Sequence, residues 1–501
     1  MRVMTGKIWK SPIVWFFLLT CAYFVTRFIH LTVLPIFTDE AIYIRWSQIG
    51  SADAAWRFIS LTDGKQPFFT WLIMASVRLF QDPLFAGRMV SVIGGFLSLI
   101  GLVLLSRELF RNVTIGLISA ALYVISPFTL MYDRLALYDG WVATFFIWNL
   151  YLAVLLVKKV RLDVALLLGM MLGVAMLNKT SAFLSLYMLP GTLLLFDWKR
   201  PQLVKRLALW MGYVATAAIL SQAIYSILRL SPFFYIISQK DALFVYPFGQ
   251  WLVHPFSFFQ GNIRGLFDWL KGYLTWPILF SAGVTILIPR KYIREKLLLI
   301  GWWLAPFIAL ALFGRILYPR FILFMTMPLF ILGAYSLYWM STFIKKSYVF
   351  LLLILCISGY SMYISTRILI DIKTAPILKA DRGQLIDDWP SGWGTKEVVT
   401  FLKSQQQPIA VYTEGTFGLF PYALEIFLHT YPTIEIHGLW PIPDTIPSEM
   451  LESASRRPTY FVSNFTQKQF LWPLTLLGTY QKGNNPKSVM RLYQVVPKAT
   501  K

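Results

Sequence analysis

The chain has 501 residues, 57% hydrophobic, 17% aromatic and 14% charged, with a mean hydropathy of +0.60. Soluble domains carry about a quarter charged residues, so this composition excludes a soluble enzyme or scaffold and sets a polytopic α-helical membrane protein. The net charge of +22 calls for no nucleic-acid partner, since surplus Lys and Arg in such a chain collects first in short cytoplasmic loops; the two cysteines, Cys21 and Cys356, both inside apolar runs, offer neither a disulfide framework nor a metal cluster.

A spanning helix takes about 20 predominantly apolar residues. Runs of this kind recur near 12–34, 86–106, 113–132, 138–157, 163–178, 181–197, 207–229, 273–289, 297–314, 319–341 and 348–367, roughly eleven spans in all. The first follows the basic segment "MRVMTGKIWK" and lacks a small-residue cleavage site, so it is expected to stay as an anchor. Basic clusters stand at every second connection: Arg2, Lys7 and Lys10; Arg107 and Arg111; Lys158, Lys159 and Arg161; Lys199, Arg200, Lys205 and Arg206; Arg290, Lys291, Arg294 and Lys296; Lys345 and Lys346. The positive-inside rule then puts the N-terminus in the cytoplasm and the C-terminus outside a plasma membrane. The expected division is a membrane domain over 1–370, with outer loops at 35–85 and 230–272, and an extracytoplasmic α/β domain over 380–501.

The first outer loop opens with "FTDEAIYIRW". Asp39 and Glu40 fit a helix start, with Thr38 as N-cap and two acids facing the positive end of the dipole. They fit equally a catalytic pair, one carboxylate taking a proton from an acceptor hydroxyl and the other orienting its neighbours; Tyr43 lies one turn on and is a further substrate-contact candidate. Lys65, Arg88, Arg134, Lys179, Arg264, Arg315 and Arg320 all fall at outer ends of spans, where charge is costly and tends to be functional. Snorkelling suits Arg88 or Arg315 taken singly; together the seven suggest a receptacle for a phosphate. Asp139, five residues after Arg134, is either its ion-pair partner or a substrate contact.

Loop 230–272 is aromatic and sparsely charged, suiting an interfacial groove for an isoprenoid chain as well as an aromatic belt. Its His254 is either a substrate contact or a structural histidine. The stretch "RGQLIDDWPSGWG" is expected to be a linker. Beyond it helix-like "TKEVVTFLKS", "PYALEIFLHT" and "SEMLESAS" alternate with strand-like "PIAVYT", "TIEIHG", "TYFVSN" and "MRLYQV". This tail is expected to serve acceptor recognition or as a lid, with "TEGTFGLFPY" as an exposed loop. "NFT" at Asn464 is a glycosylation sequon by pattern alone. No Asp-x-Asp triplet occurs near the first loop, so no metal or other cofactor is required.

In order along about the first 370 residues, "TDEAIYIRW", "GKQPFFTWL", "FAGRMVSVIGG", "DRLALYDGW", "LNKTSAF" and "YPRFILFMTMPLF" resemble a GT-C-type glycosyltransferase of the protein O-mannosyltransferase and aminoarabinose transferase kind. Gln66 interrupts the family's Lys-Pro-Pro, and Phe321 stands where a tyrosine often follows the arginine. The terminal α/β domain is not the β-trefoil of the eukaryotic mannosyltransferases. The resemblance implies inverting transfer of a monosaccharide from a polyprenyl-phosphate donor to a protein, glycan or lipid hydroxyl on the outer membrane face. Carried over, Asp39 is the general base and Glu40 an acceptor-side partner. Lys65 and Arg320 stabilise the departing lipid phosphate. Read from their place in the chain and not from the resemblance, Arg134 and Lys179 are further candidates to bind the donor phosphate, and Tyr43, Asp139 and His254 are candidate substrate contacts. A leaving phosphate asks for charge neutralisation more than for protonation. The rival class, a transporter or lipid-linked glycan flippase, would carry mid-bilayer charges and symmetric halves.

Overall fold

A computed structural model describes residues 11–288, 291–344, 346–467 and 470–497. Arg2, Lys7, Lys10, Arg290 and Lys345 of the basic clusters lie outside the described residues. The helices run α1 (Pro12–Phe28), α2 (Thr38–Ala52), α3 (Phe68–Ser76), α4 (Pro83–Phe110), α5 (Val113–Ile125), α6 (Pro127–Tyr132), α7 (Tyr138–Lys159), α8 (Leu162–Asn178), α9 (Phe183–Tyr187), α10 (Leu203–Tyr225), α11 (Ile236–Phe244), α12 (Phe248–Val253), α13 (Phe259–Leu287), α14 (Ile293–Phe313), α15 (Thr326–Phe343), α16 (Ser347–Ile370), α17 (Lys379–Arg382), α18 (Thr395–Lys403), α19 (Tyr422–Leu428) and α20 (Ser448–Arg456).

By length and composition six segments can cross a membrane: Pro83–Phe110, Tyr138–Lys159, Leu203–Leu230, Phe259–Leu287, Ile293–Phe313 and Leu351–Ile370. Other expected apolar runs appear as shorter or broken helices, and the breaks have causes. The run at 113–132 is cut at Ser126, which Pro127 holds extended at ψ 127°. The run at 319–341 opens on a 3-10 turn, Pro319–Ile322, and becomes α-helical only at Thr326. Helix α13 is interrupted at Thr275, where φ is 64°.

The residues form two compact units. The first takes residues up to 29, 58–69 and 90–371. Its centre is α7, apolar on all sides and buried along nearly its whole length, the mark of a core helix. Helix α8 lies between α7 and α10 around Leu156, Leu168, Leu172, Trp210 and Ala217. Gly169 permits the approach, since a Cβ there would stand 2.9 Å from the carbonyl oxygen of Ala217. Buried Arg27 of α1 bonds Asp133 at 3.2 Å and the carbonyl of Val124 at 2.7 Å, tying α1 to the turn that feeds α7.

The second unit comprises residues 30–57, 70–89 and 372–501. Strands β1 (Ile409–Glu414), β2 (Ile434–Leu439), β3 (Thr459–Ser463), β4 (Leu474–Lys482) and β5 (Asn485–Val495) form one sheet in the order β2-β1-β3-β5-β4. β1 pairs in parallel with β2 and β3, and β5 pairs antiparallel with β3 and β4. Val411, Val462 and Ile409 are wholly buried in the sheet. Helix α2 packs against α19: Arg45 Nε bonds Glu425 Oε2 at 2.6 Å and Gln48 Nε2 donates to the Ile426 carbonyl at 2.9 Å.

Two readings of this unit need correction. The expected linker is built-in structure: Gly383–Asp387 forms a π-helical turn, Leu385, Ile386 and Ser391 are buried, and Ser391 pairs with Phe37 in an antiparallel bridge. In "TEGTFGLFPY" only Thr416 and Phe417 are exposed. Leu419 and Phe420 turn inward to the core because Gly415 and Gly418, at φ 117° and 110°, bend the chain back.

Candidate active site

Within the first unit, several cations predicted from sequence do meet. Asp139, in the first turn of α7 where the helix dipole favours an anion, bonds Lys179 Nζ at 2.6 Å and lies 3.8 Å from Arg320 Nε. The partners are therefore Lys179 and Arg320, and Arg134 instead donates to the carbonyl of Ile29 at 2.7 Å. Lys179 is the C-cap of α8 and sits 4.5 Å above the ring of Phe321. Arg320 stacks on Tyr318 at 4.5 Å.

Lys65 reaches the same surroundings by a glycine turn. Gly64 closes the 3-10 turn Ile59–Asp63 at φ 68°, and a Cβ there would strike Lys240 Cβ at 2.6 Å and the Ile236 carbonyl at 2.8 Å, so only glycine lets α11 come this close. Lys65 Nζ lies 5.3 Å from the Phe244 ring, and Lys240 bonds Asp63 at 2.6 Å. Burial pushes the Asp241 carboxyl up; a hydrogen bond from Thr180 and the charges of Lys65 and Lys179 oppose that. Gln66 is buried and donates to Thr180 Oγ1 at 2.5 Å, which gives the departure from Lys-Pro-Pro a place in the same network.

Lys65, Lys179, Lys240 and Arg320 are thus set against Asp63, Asp139 and Asp241. An incoming phosphate would compete with Asp139 for Lys179 and Arg320. Reasoning from sequence missed Asp63, Lys240 and Asp241, which carry no local signature. His254 is exposed at the end of α12, so a packed structural histidine is not what the chain builds there.

In the second unit Phe37, not Thr38, is the N-cap of α2, with extended backbone at φ −94° and ψ 152°. Glu40 folds back to accept the Phe37 N–H at 3.0 Å, the backbone half of a capping box. Glu40 is fully buried and Asp39 half-buried; Tyr43 is buried one turn further along. Arg88 is no snorkelling anchor. It is 0% exposed and spends all five N–H donors, on both oxygens of Glu40 and on the carbonyls of Leu31, Leu34 and Pro35 at 2.7–3.1 Å. Among the described residues no group of three His, Cys, Asp or Glu is placed to hold a metal ion.

Residues 64–225 match the family described as dolichyl-phosphate-mannose-protein mannosyltransferase. That segment includes Lys65, Arg88, Arg134, Asp139 and Lys179. No curated protein sequence matches the chain. Among solved structures, ArnT from Cupriavidus metallidurans bound to undecaprenyl phosphate aligns with a TM-score of 0.59 at 14% identity, over 97% of this chain and 99% of that one. Its apo form aligns with a TM-score of 0.60 at 14% identity, over 99% and 100%. The chain thus shares the fold of these ArnT structures and, over residues 64–225, resembles the mannosyltransferase family. On fold and matched segment together the chain is similar to the protein O-mannosyltransferase and aminoarabinose transferase group of GT-C glycosyltransferases.

Proposed function

We propose that this protein moves a monosaccharide from a polyprenyl-phosphate donor to a hydroxyl on a protein, glycan or lipid acceptor at the outer membrane face, with inversion. The observation that carries the reading is the Lys65, Lys179 and Arg320 group within a GT-C-type fold. Support also comes from the ArnT of the same fold, which holds undecaprenyl phosphate.

In this mechanism the donor phosphate draws Lys179 and Arg320 away from Asp139, and Lys65 adds a third positive charge. As the bond from the sugar to the phosphate oxygen breaks, the electron pair stays on the phosphate, where these cations neutralise it without a proton. Asp39 takes the proton of the acceptor hydroxyl as that oxygen forms the new glycosidic bond. Glu40, fixed by Arg88 and by the Phe37 N–H, serves by holding the helix start from which Asp39 projects. Tyr43 and His254 stay in the proposal as contacts to substrate. Incubating the purified protein with a panel of polyprenyl-phosphate sugars and an acceptor extract tests the reading. Free polyprenyl phosphate together with a glycosylated product is expected; no release from any donor would sink it.

A further inference from the structure

Lys482 ends the edge strand β4, yet it is 0% exposed and its ammonium points at the segment that adjoins α2. Its three N–H donors meet three oxygens: the carbonyl of Trp389 at 3.0 Å, the carbonyl of Ser391 at 2.7 Å and Oδ1 of Asn464. Asn464, buried at 3% exposure, also donates from Nδ2 to the Trp389 carbonyl at 3.0 Å. Its sequon therefore offers no free amide. Glu414, at the end of β1, secures the same loop by accepting the N–H groups of Asn464, Phe465 and Thr466 at 2.7–2.8 Å.

Between the two gripped carbonyls stands Pro390, which has no N–H of its own to give. Its carbonyl accepts both the N–H of Thr38 at 3.0 Å and the Thr38 hydroxyl at 2.9 Å. Gly392 N–H donates to the Ile36 carbonyl at 2.8 Å, and Ser391 bridges Phe37. The first N–H groups of a helix have no intrahelical acceptor. Here the one at Thr38 is satisfied by a segment some 350 residues away, and that segment is itself held by a lysine.

We propose that Lys482 is a positioning residue for the transfer reaction. By gripping the carbonyls on either side of Pro390 it fixes the seat of the α2 N-terminus, and with it the backbone from which Asp39 projects. The proposal rests on the reading of Asp39 as the base. Glu414 and Asp388 are the charged groups that face the ammonium. Burial works against the charged form, in which all three donors are available, and these two carboxylates oppose burial.

The test uses the full chain purified in detergent. Hydrogen exchange at the Thr38 and Gly392 amides is compared in the unsubstituted protein, Lys482→Met and Asp39→Asn, alongside kcat and the donor KM for transfer. Lys482→Met is expected to raise exchange at both amides at least tenfold and to lower kcat by about ten- to a hundredfold through misplacement of the helix start, with donor KM unchanged. A folded Lys482→Met with native exchange and native kcat overturns the proposal. If that variant does not fold, Thr38→Val removes one bond at the other end of the grip; it should lower kcat at constant donor KM, and native kcat overturns the proposal. Fast exchange in Lys482→Met while Asp39→Asn still transfers sugar overturns the catalytic half, and places the failure in the reading of Asp39 rather than in the grip.

Discussion

Arg88 Nε meets Glu40 Oε1 at 2.8 Å while Nη2 meets Oε2 at 2.7 Å, a two-pronged pair with both side chains at 0% exposure. Removing one partner of such a pair leaves an uncompensated buried charge and costs about 3–5 kcal/mol, whereas replacing both with apolar groups is often neutral. Arg88→Met is therefore expected to lower the apparent Tm sharply, and Arg88→Met combined with Glu40→Leu to recover only the part due to the stranded carboxylate, since the carbonyls of Leu31, Leu34 and Pro35 and the Phe37 N–H still lose their partners. Thermal unfolding in detergent checks both; a single variant as stable as the parent would make the pair energetically idle.

Asp39→Asn is expected to reduce transfer at least about a hundredfold, the usual contribution of a positioned general base, with donor affinity retained. The amide keeps the shape of the helix start but takes up no proton. Glu40→Gln should differ in kind, losing stability first because it strips Arg88 of its counter-charge. Turnover at the parental rate in Asp39→Asn would return that residue to a helix-start role.

Lys65→Ala, Lys179→Ala and Arg320→Ala are each expected to weaken handling of the lipid phosphate, with kcat/KM for the donor down about a hundredfold where the charge acts on the leaving group. Asp139→Asn should tighten binding of free polyprenyl phosphate, since it relieves Lys179 and Arg320 of their resident anion. Equilibrium binding of labelled polyprenyl phosphate separates the cases, and unchanged affinity in all four variants would place the phosphate elsewhere.

Burial pushes the Lys482 amine down to about 7, against the opposing pull of Glu414 and Asp388. Between pH 7 and the ordinary lysine range the unfolded chain holds this proton and the folded one does not, so stability through this group rises with pH across that window. The apparent Tm of the parent minus that of Lys482→Met should therefore grow from pH 6 to pH 9. A difference flat in pH would show that the amine titrates normally.

Much of the second unit was legible. The expected helices near 395–404, 421–430 and 448–455 and strands near 408–413, 433–438 and 459–464 lie within a residue or two of α18, α19, α20, β1, β2 and β3, because each shows a clear period and turn residues at its ends. Strand β4 escaped because its pairing with β5 shifts register between Leu476 and Gly478 and again between Gln481 and Lys482, which breaks the alternation. Residue type and place in the chain singled out Lys65, Lys179 and Arg320 as candidates, but the residues they pair with were out of reach. Lys240 and Asp63 meet across 177 residues, and Arg88 and Glu40 across 48. A buried arginine and a snorkelling one look alike in a string of letters.

The bond from Thr38 to Pro390 joins positions 352 residues apart. At ribosomal speeds of about 5–20 residues per second, α2 emerges on the order of 20–70 s before the segment that seats it exists. During that interval its first turn has no seat and its neighbours Arg45 and Gln48 have no partners in α19. The helix that carries Asp39 therefore acquires its final form only once the segment around Pro390 has been made, and a nascent chain already inserted in the bilayer stays chemically unfinished until then.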